Sequence, residues 1–271
     1  MRFCKTYDFN HGIKAVQLGW SLVGPPMMTV YCYLFDEIMV DTGQPHMKKE
    51  ALALADSHAV KQIFLTHHHE DHSGNAAAIH KVLGARVYGH ALTRDKLTVS
   101  YPILPYQKYI WGNPSPVGVN TLPKRIDTPL GRMVPVHTPG HSKDHTLYFL
   151  PDRGIVFSGD LYLGDKIKFF RSDEEVGIQI ASLKKVAALD FDTLLCAHNP
   201  RRENGRDHIL LKLDFMENLY GDVVLLWEKG LSEGQIFKQL KLREARFTKY
   251  FCCGNVSMLN GVRSVIHGLG E

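Results

Sequence analysis

Four times in this sequence a short apolar run with strand character ends, and a histidine or an aspartate stands at its C-terminal edge. Ile63-Phe64-Leu65 runs into His67 and His69, and Met133-Val134-Pro135-Val136 leads on to His141. Ile155-Val156-Phe157-Ser158 ends at Asp160, and Thr193-Leu194-Leu195-Cys196-Ala197 ends at His198. Strand ends that gather at one edge bring such side chains together in space. Chance would not favour the recurrence, and it marks these residues as candidate ligands.

The densest of these edges is Thr66-His67-His68-His69-Glu70-Asp71-His72, which places four histidines and two carboxylates in six positions. Read as H-x-H-x-D-H, it offers His67, His69, Asp71 and His72 to metal, with His68 and Glu70 as spacers. Alternate side chains of a strand share a face, so His67 and His69 can reach one ion. Asp71 and His72 lie where the chain turns into the next helix and can reach a second. Imidazole and carboxylate without thiolate suit zinc, iron or manganese. A solvated histidine-rich loop is the competing reading. The apolar strand before the stretch and Ser73-Gly74-Asn75 with Ala76-Ala77-Ala78 after it favour the metal. Asp41, at the end of Ile38-Met39-Val40, is either a plain turn residue or an anchor for a metal-binding histidine.

The chain has 271 residues, 44% hydrophobic and 22% charged, with a net charge of +4. That is an ordinary globular composition, too weakly basic to argue for nucleic acid by itself. No apolar run approaches the roughly 18–20 residues that a membrane helix needs. The five cysteines form no C-x-x-C pair and are odd in number, which points to a reducing compartment. With no targeting signal at the start, the expected location is cytoplasmic.

Helical spacing covers Lys48 to His58, Glu174 to Leu189 and His208 to Glu228; Ser232 reads as a helix cap, and Tyr250 to His267 as a last helix. From Tyr101 to Pro123 prolines and aromatics replace any periodicity, and a long loop of that kind is usually functional or mobile. It is expected to form a wall or lid of the substrate pocket, or else a surface excursion packed on the core. Residues 1–200 read as a catalytic domain and 201–271 as a helical C-terminal extension packed on it.

The ordered set Asp41-Thr42-Gly43, His67 to His72, Thr138-Pro139-Gly140-His141, Ser158-Gly159-Asp160 and Ala197-His198 resembles the metallo-β-lactamase-fold hydrolase superfamily. It looks closest to the branch with glyoxalase II and the related endoribonucleases that carry a helical extension. The resemblance spans about Val30 to Pro200. It implies an α/β fold, an αβ/βα four-layer sandwich with the site at one edge. Carried over by position, His67, His69 and His141 would bind one ion, Asp71, His72 and His198 a second, and Asp160 would bridge them. His145, four residues after His141, matches a histidine often seen in this branch and is given a supporting role.

The cofactors implied are two divalent ions, zinc first, with iron or manganese as alternatives. The implied chemistry is hydrolysis by a metal-activated water, with Asp71 orienting that water. The expected substrate is a small ester, thioester or lactone. RNA phosphodiester cleavage ranks below it, with Lys238 to Arg246 as the track. Persulfide oxygenation at one iron follows, and a non-enzymatic metal scaffold comes last. Tyr162, Lys166, Lys168 and Arg171 are the candidates for recognising an anionic substrate group, against a solvated strand face. No membrane partner is expected, nucleic acid is not favoured, and a homodimer is compatible with the sequence. Departures from flavodiiron-type relatives, from nucleases with a large insert before the last histidine and from the secreted lactamases argue against those roles.

Overall fold

A computed structural model describes residues 1–270. Seven strands form the first sheet in chain order: β1 (Arg2–Asp8), β2 (Lys14–Trp20), β3 (Thr29–Phe35), β4 (Ile38–Val40), β5 (Gln62–Phe64), β6 (Arg86–Gly89) and β7 (Asn120–Thr121). Pairing is antiparallel from β1 to β4 and parallel from β4 to β7. The second sheet draws on β8 (Ile126–Thr128), β9 (Gly131–His137), β10 (Thr146–Leu150), β11 (Ile155–Gly159) and, beyond β12 (Phe170–Arg171), β13 (Thr193–Cys196). Its spatial order is β13-β11-β10-β9-β8. The short β12 pairs instead with β14 (Val256–Ser257) in a separate ribbon.

Ten helices accompany the sheets among the described residues. They are α1 (Lys48–Ser57), α2 (Glu70–Ser73), α3 (Ala76–Leu83), α4 (Ala91–Leu97), α5 (Pro105–Ile110), α6 (Val176–Ala187), α7 (Gly205–Glu228), α8 (Glu233–Gln239), α9 (Arg246–Phe251) and α10 (Met258–Gly268).

Strand alternation decides the layering. Tyr33 and Phe35 of β3 point to one face with Phe64, Tyr148 and Phe157, and form the core between the two sheets. Val30, Cys32 and Leu34 of the same strand point the other way, onto Ala55 of α1 and Ile79 of α3. On the far side, Val156 and Leu194 lie under Leu183 of α6 and Ile209 and Met216 of α7. The result is the expected αβ/βα sandwich, helices outside and sheets within. Both sheets are covered on both faces over most of their width, which is why the strands read as nearly continuous apolar runs. Among the described residues no helix is long and apolar enough to cross a membrane, and all five cysteines are free thiols.

Three segments differ from the sequence reading. β1 is mostly exposed, so it lacks the alternation by which strands are recognised. The stretch from Tyr101 to Pro123 is not structureless. Pro105 opens α5, and β7 closes the sheet edge. The single last helix is instead two, α9 and α10. The chain breaks between them at Cys253 and Gly254, both with positive φ, and β14 follows.

The helical layer is tied to the sheet edge by an unusual contact. Lys212 of α7 is fully buried, and its Nζ donates to the carbonyl of Leu161 at 2.6 Å, directly after Asp160. Burial lowers its pKa to about 8. A lysine whose folded pKa lies below its unfolded value costs stability wherever it is charged in both states, and that cost is relieved as pH rises from the folded to the unfolded pKa. Stability of the wild type should therefore climb between about pH 8 and 10.5, by on the order of 3 kcal/mol, relative to Lys212→Met. Urea unfolding of both proteins across that range checks it. Parallel pH profiles would remove the buried charge from the account.

Candidate metal centre

The candidate ligands follow β5 of the first sheet and β9, β11 and β13 of the second, and the edge where they meet is held by buried hydroxyls from the inter-sheet core. Tyr148 donates to the Leu65 carbonyl behind β5, and Tyr33 donates to the Cys196 carbonyl at the end of β13, each at 2.6 Å. The Asp41-Thr42-Gly43 turn is stitched to the histidine loop: Asn75 Nδ2 donates to the carbonyls of Thr42, Gly43 and Gln44. Asp41 itself takes a left-handed backbone, φ 55°, a conformation that aspartate tolerates better than most residues.

From these edges two clusters form. His67, His69 and His141 bring ligand atoms together, and so do Asp71, His72, Asp160 and His198; within each group these atoms lie within 4.8 Å of one another. In the first, His69 Nδ1 lies 2.8 Å from His67 Nε2 and 3.1 Å from His141 Nε2. In the second, His72 Nε2 is 3.6 Å from Asp71 Oδ2, and His198 Nε2 is 3.3 Å from the same oxygen. Asp160 belongs to the second and also reaches the first. Its Oδ1 stands 3.4 Å from His72 Nε2 and 3.5 Å from His198 Nε2, while Oδ2 stands 3.4 Å from His141 Nε2.

The supporting contacts fix which nitrogen of each ring faces inward. Asp41 Oδ2 is 2.7 Å from His72 Nδ1 and also accepts from Thr66 Oγ1 at 2.8 Å, while Oδ1 accepts from the Thr66 amide. His72 is therefore protonated on Nδ1 and turns Nε2 to the cluster. His198 Nδ1 sits 2.8 Å from the Thr29 carbonyl, with the same effect. His145 is buried beside His67; its Nε2 accepts from the Asp160 amide at 3.1 Å, and its Nδ1 lies 2.9 Å from Thr138 Oγ1. It holds the turn that carries Asp160.

Electrostatics separate the two clusters. Burial and then the neighbouring charges hold His67 and His69 well below the usual histidine pKa, so both are neutral. Burial pushes the same way at His198, but Asp160 and Asp71 outweigh it and raise the ring to about 10. Burial likewise drives His145 down, to about 3, consistent with a ring that accepts at Nε2.

A cation fits both clusters. His67 Nε2 and His141 Nε2 both face His69 Nδ1, at 2.8 and 3.1 Å, where one N–H could serve only one of the two contacts and a cation would serve all three nitrogens. In the second cluster His72 Nε2 and Asp160 Oδ1 are buried with no hydrogen-bond partner, a costly condition without a ligand. His69 Nε2, on the outward side of its ring, is also unpartnered.

Several contributors have no signal in the motifs. Glu174 is buried with Oε1 3.1 Å from His141 Nδ1, and Gln179 Nε2 donates to its other oxygen. The two residues read as spacers are both engaged: His68 contacts Asp144, and Glu70 accepts from Gln107 of α5. Trp111, just past α5, lies 6.3 Å from His198, ring to ring, which brings that part of the 101–123 segment beside the centre. Of the anion-binding candidates, Tyr162 is fully buried and its hydroxyl donates to Asp165. Lys166 and Lys168 are exposed. Burial lowers His69 and raises Glu70; the nearby Arg171 charge adds to the first shift and partly offsets the second.

A family model of the metallo-beta-lactamase superfamily matches residues 27–198, a span that includes both clusters. The chain belongs to that superfamily. A hydroxyacylglutathione hydrolase of Cereibacter sphaeroides is 31% identical over 147 residues, 54% of this chain and 51% of that protein. The mitochondrial hydroxyacylglutathione hydrolase of Saccharomyces cerevisiae is 26% identical over 209 residues, 71% of this chain and 67% of that one. The aligned part thus spans about half the length of the bacterial relative. Among solved structures, a metallo-beta-lactamase family protein from Thermus thermophilus superposes with a TM-score of 0.65 at 21% identity, covering 96% of this chain and 94% of that one. A beta-lactamase domain protein from Burkholderia ambifaria gives 0.70 at 15% identity, covering 98% and 90%. These likenesses concern the fold.

Proposed function

We propose that this protein is a metal-dependent hydrolase of a small ester or thioester that carries an anionic group. The observation that carries the reading is Asp160, whose two oxygens face different clusters. One carboxylate can thereby hold two cations side by side and offset their mutual repulsion. Its donor set, five imidazoles and two carboxylates in all with Asp71, suits two zinc ions, and iron or manganese would take the same donors. Bound there, the ions would lower the pKa of a water to about 7 and polarise a carbonyl or phosphoryl oxygen. Asp71 would accept a hydrogen bond from the attacking water and so aim it. Asp41, Glu174 and the Thr29 carbonyl keep the imidazoles aimed inward through the reaction. No serine or cysteine nucleophile is required.

Arg171 supports the anionic group. Asp173 engages its Nε and Nη2, which leaves Nη1 for a carboxylate or phosphate. The test combines metal analysis with a panel of thioesters, lactones, neutral esters and RNA. About two ions per chain and turnover of anionic thioesters are expected. Arg171→Ala should raise KM for an anionic thioester roughly ten- to hundredfold, with metal content unchanged and a neutral ester little affected. RNA cleavage without turnover across the ester panel would reverse the assignment; one iron per chain with oxygen uptake on a persulfide would replace it with oxygenation.

A further inference from the structure

Asp144 lies between His141 and His145, in the turn from β9 to β10, and belongs to neither cluster. It is 2% exposed, and its side chain meets four donors. The His68 amide donates to Oδ2 at 2.9 Å, and Thr93 Oγ1 donates to the same oxygen at 2.7 Å. His68 Nδ1 lies 2.9 Å from Oδ1, and Ser142 Oγ donates to that oxygen at 2.8 Å. With Lys96 Nζ 3.3 Å from His68 Nε2, the ring keeps its proton on Nδ1 and donates it to Asp144. The His68 carbonyl is taken as well, by the hydroxyls of Tyr101 at 3.0 Å and Ser73 at 2.8 Å.

His68 is the residue between His67 and His69. The first cluster is therefore assembled from two loops, one bearing His67 and His69 and the other His141, and Asp144 fastens the middle of the first to the turn of the second. We propose that Asp144 is a positioning residue that sets the spacing of the His67–His69–His141 trio, and so the metal affinity of that cluster in particular. Three nitrogens on two loops reach one point only if the loops are fixed to within about 0.5 Å. A buried carboxylate bonded by four donors, one of them a backbone amide, supplies that stiffness. The second cluster has separate anchors, Asp41 on His72 and the Thr29 carbonyl on His198. Asparagine at 144 would turn an NH2 toward one of the two donor pairs, Thr93 with the His68 amide or Ser142 with the His68 ring, and so would break the fastening without changing shape.

The inference rests on reading the clusters as a two-ion centre, and metal titration tests the two separately. Metal-free protein is titrated with zinc against a chromophoric chelator, and His69→Ala identifies the step that belongs to the first trio. Asp144→Asn is expected to weaken that step roughly ten- to hundredfold, the range for residues that orient metal ligands, and to leave the other step within about threefold. Thr93→Val removes one donor but keeps both His68 contacts, so it should keep both affinities, which separates positioning from general loosening of the fold. Equal weakening of both steps in Asp144→Asn, in proportion to a lower melting temperature of the metal-free protein, would overturn the proposal, as would wild-type affinity at both. Wild-type protein that binds a single ion would instead refute the two-ion reading on which it stands.

Discussion

Asp160→Asn should lose metal and lower kcat by about a hundredfold or more, with far less effect on folding. Asparagine keeps the shape and one oxygen but removes the charge that, on the proposed reading, would let two cations sit close together. The turn itself does not depend on that charge. The Asp160 amide would still donate to His145 Nε2, and the Leu161 amide to the Ser158 carbonyl at 3.0 Å. Thermal unfolding with saturating metal should therefore remain cooperative. Elemental analysis after gel filtration should find about one ion per chain or fewer. Were Asp160 merely a turn former, asparagine would serve as well, and metal content and activity would both stay near wild type. That result would end the shared-carboxylate account.

Gly140→Ala should combine backbone strain with a backbone clash, and damage this edge severely. Gly140 has φ +125°, and a Cβ there would fall 2.5 Å from the Gln179 amide nitrogen and 2.6 Å from its Cα. Backbone on α6 cannot give way as a flexible side chain could. Left-handed strain and overpacking together should cost on the order of 3 kcal/mol, a drop in melting temperature of roughly 10 °C for a chain of this size. The turn would also be pushed off α6, and with it His141 from Glu174, so the first trio should bind metal poorly even below the melting temperature. Gly118→Ala is the comparison, since a Cβ there meets nothing within 4 Å; it should melt close to wild type. A similar melting temperature for Gly140→Ala would show that the turn relaxes freely.

The candidate ligands are legible in the sequence because the signal is doubled: an apolar run that ends, and a titratable residue at its end; the superfamily and the layered fold come from the resemblance that the ordered motifs carry. Of the seven residues in the two clusters, His67, His69, His141, Asp160 and His198 have that local signature, and Asp71 and His72 follow in the same motif as His67 and His69. The residues that orient them have no such signature. Glu174 reaches His141 across 33 positions and stands just before a helix, where a glutamate is unremarkable. Asp144 sits inside a readable motif, yet its partner, His68, lies 76 positions away and reads as a spacer. α5 is hidden because prolines at 102, 105, 114 and 116 suggest a loop, although Pro105 is the residue that begins the helix. β1 escapes notice for the opposite reason: an exposed edge strand has no buried face to impose a pattern. Three-dimensional partnerships leave little trace in one sequence, whereas periodic burial leaves a clear one.

Ser264 of α10 accepts from the Val176 amide at 2.9 Å and donates to the Glu174 carbonyl at 2.7 Å. One hydroxyl in the last helix thus clasps the peptide groups beside the glutamate that aims His141. Over evolutionary time this makes the tail a poor candidate for exchange as a free module. A lineage that swapped it for another helical appendage would keep all seven donors and still inherit an imidazole pointing astray, until some new hydroxyl took over the clasp. The donor motifs and the tail that clasps Glu174 work at this edge as a matched pair.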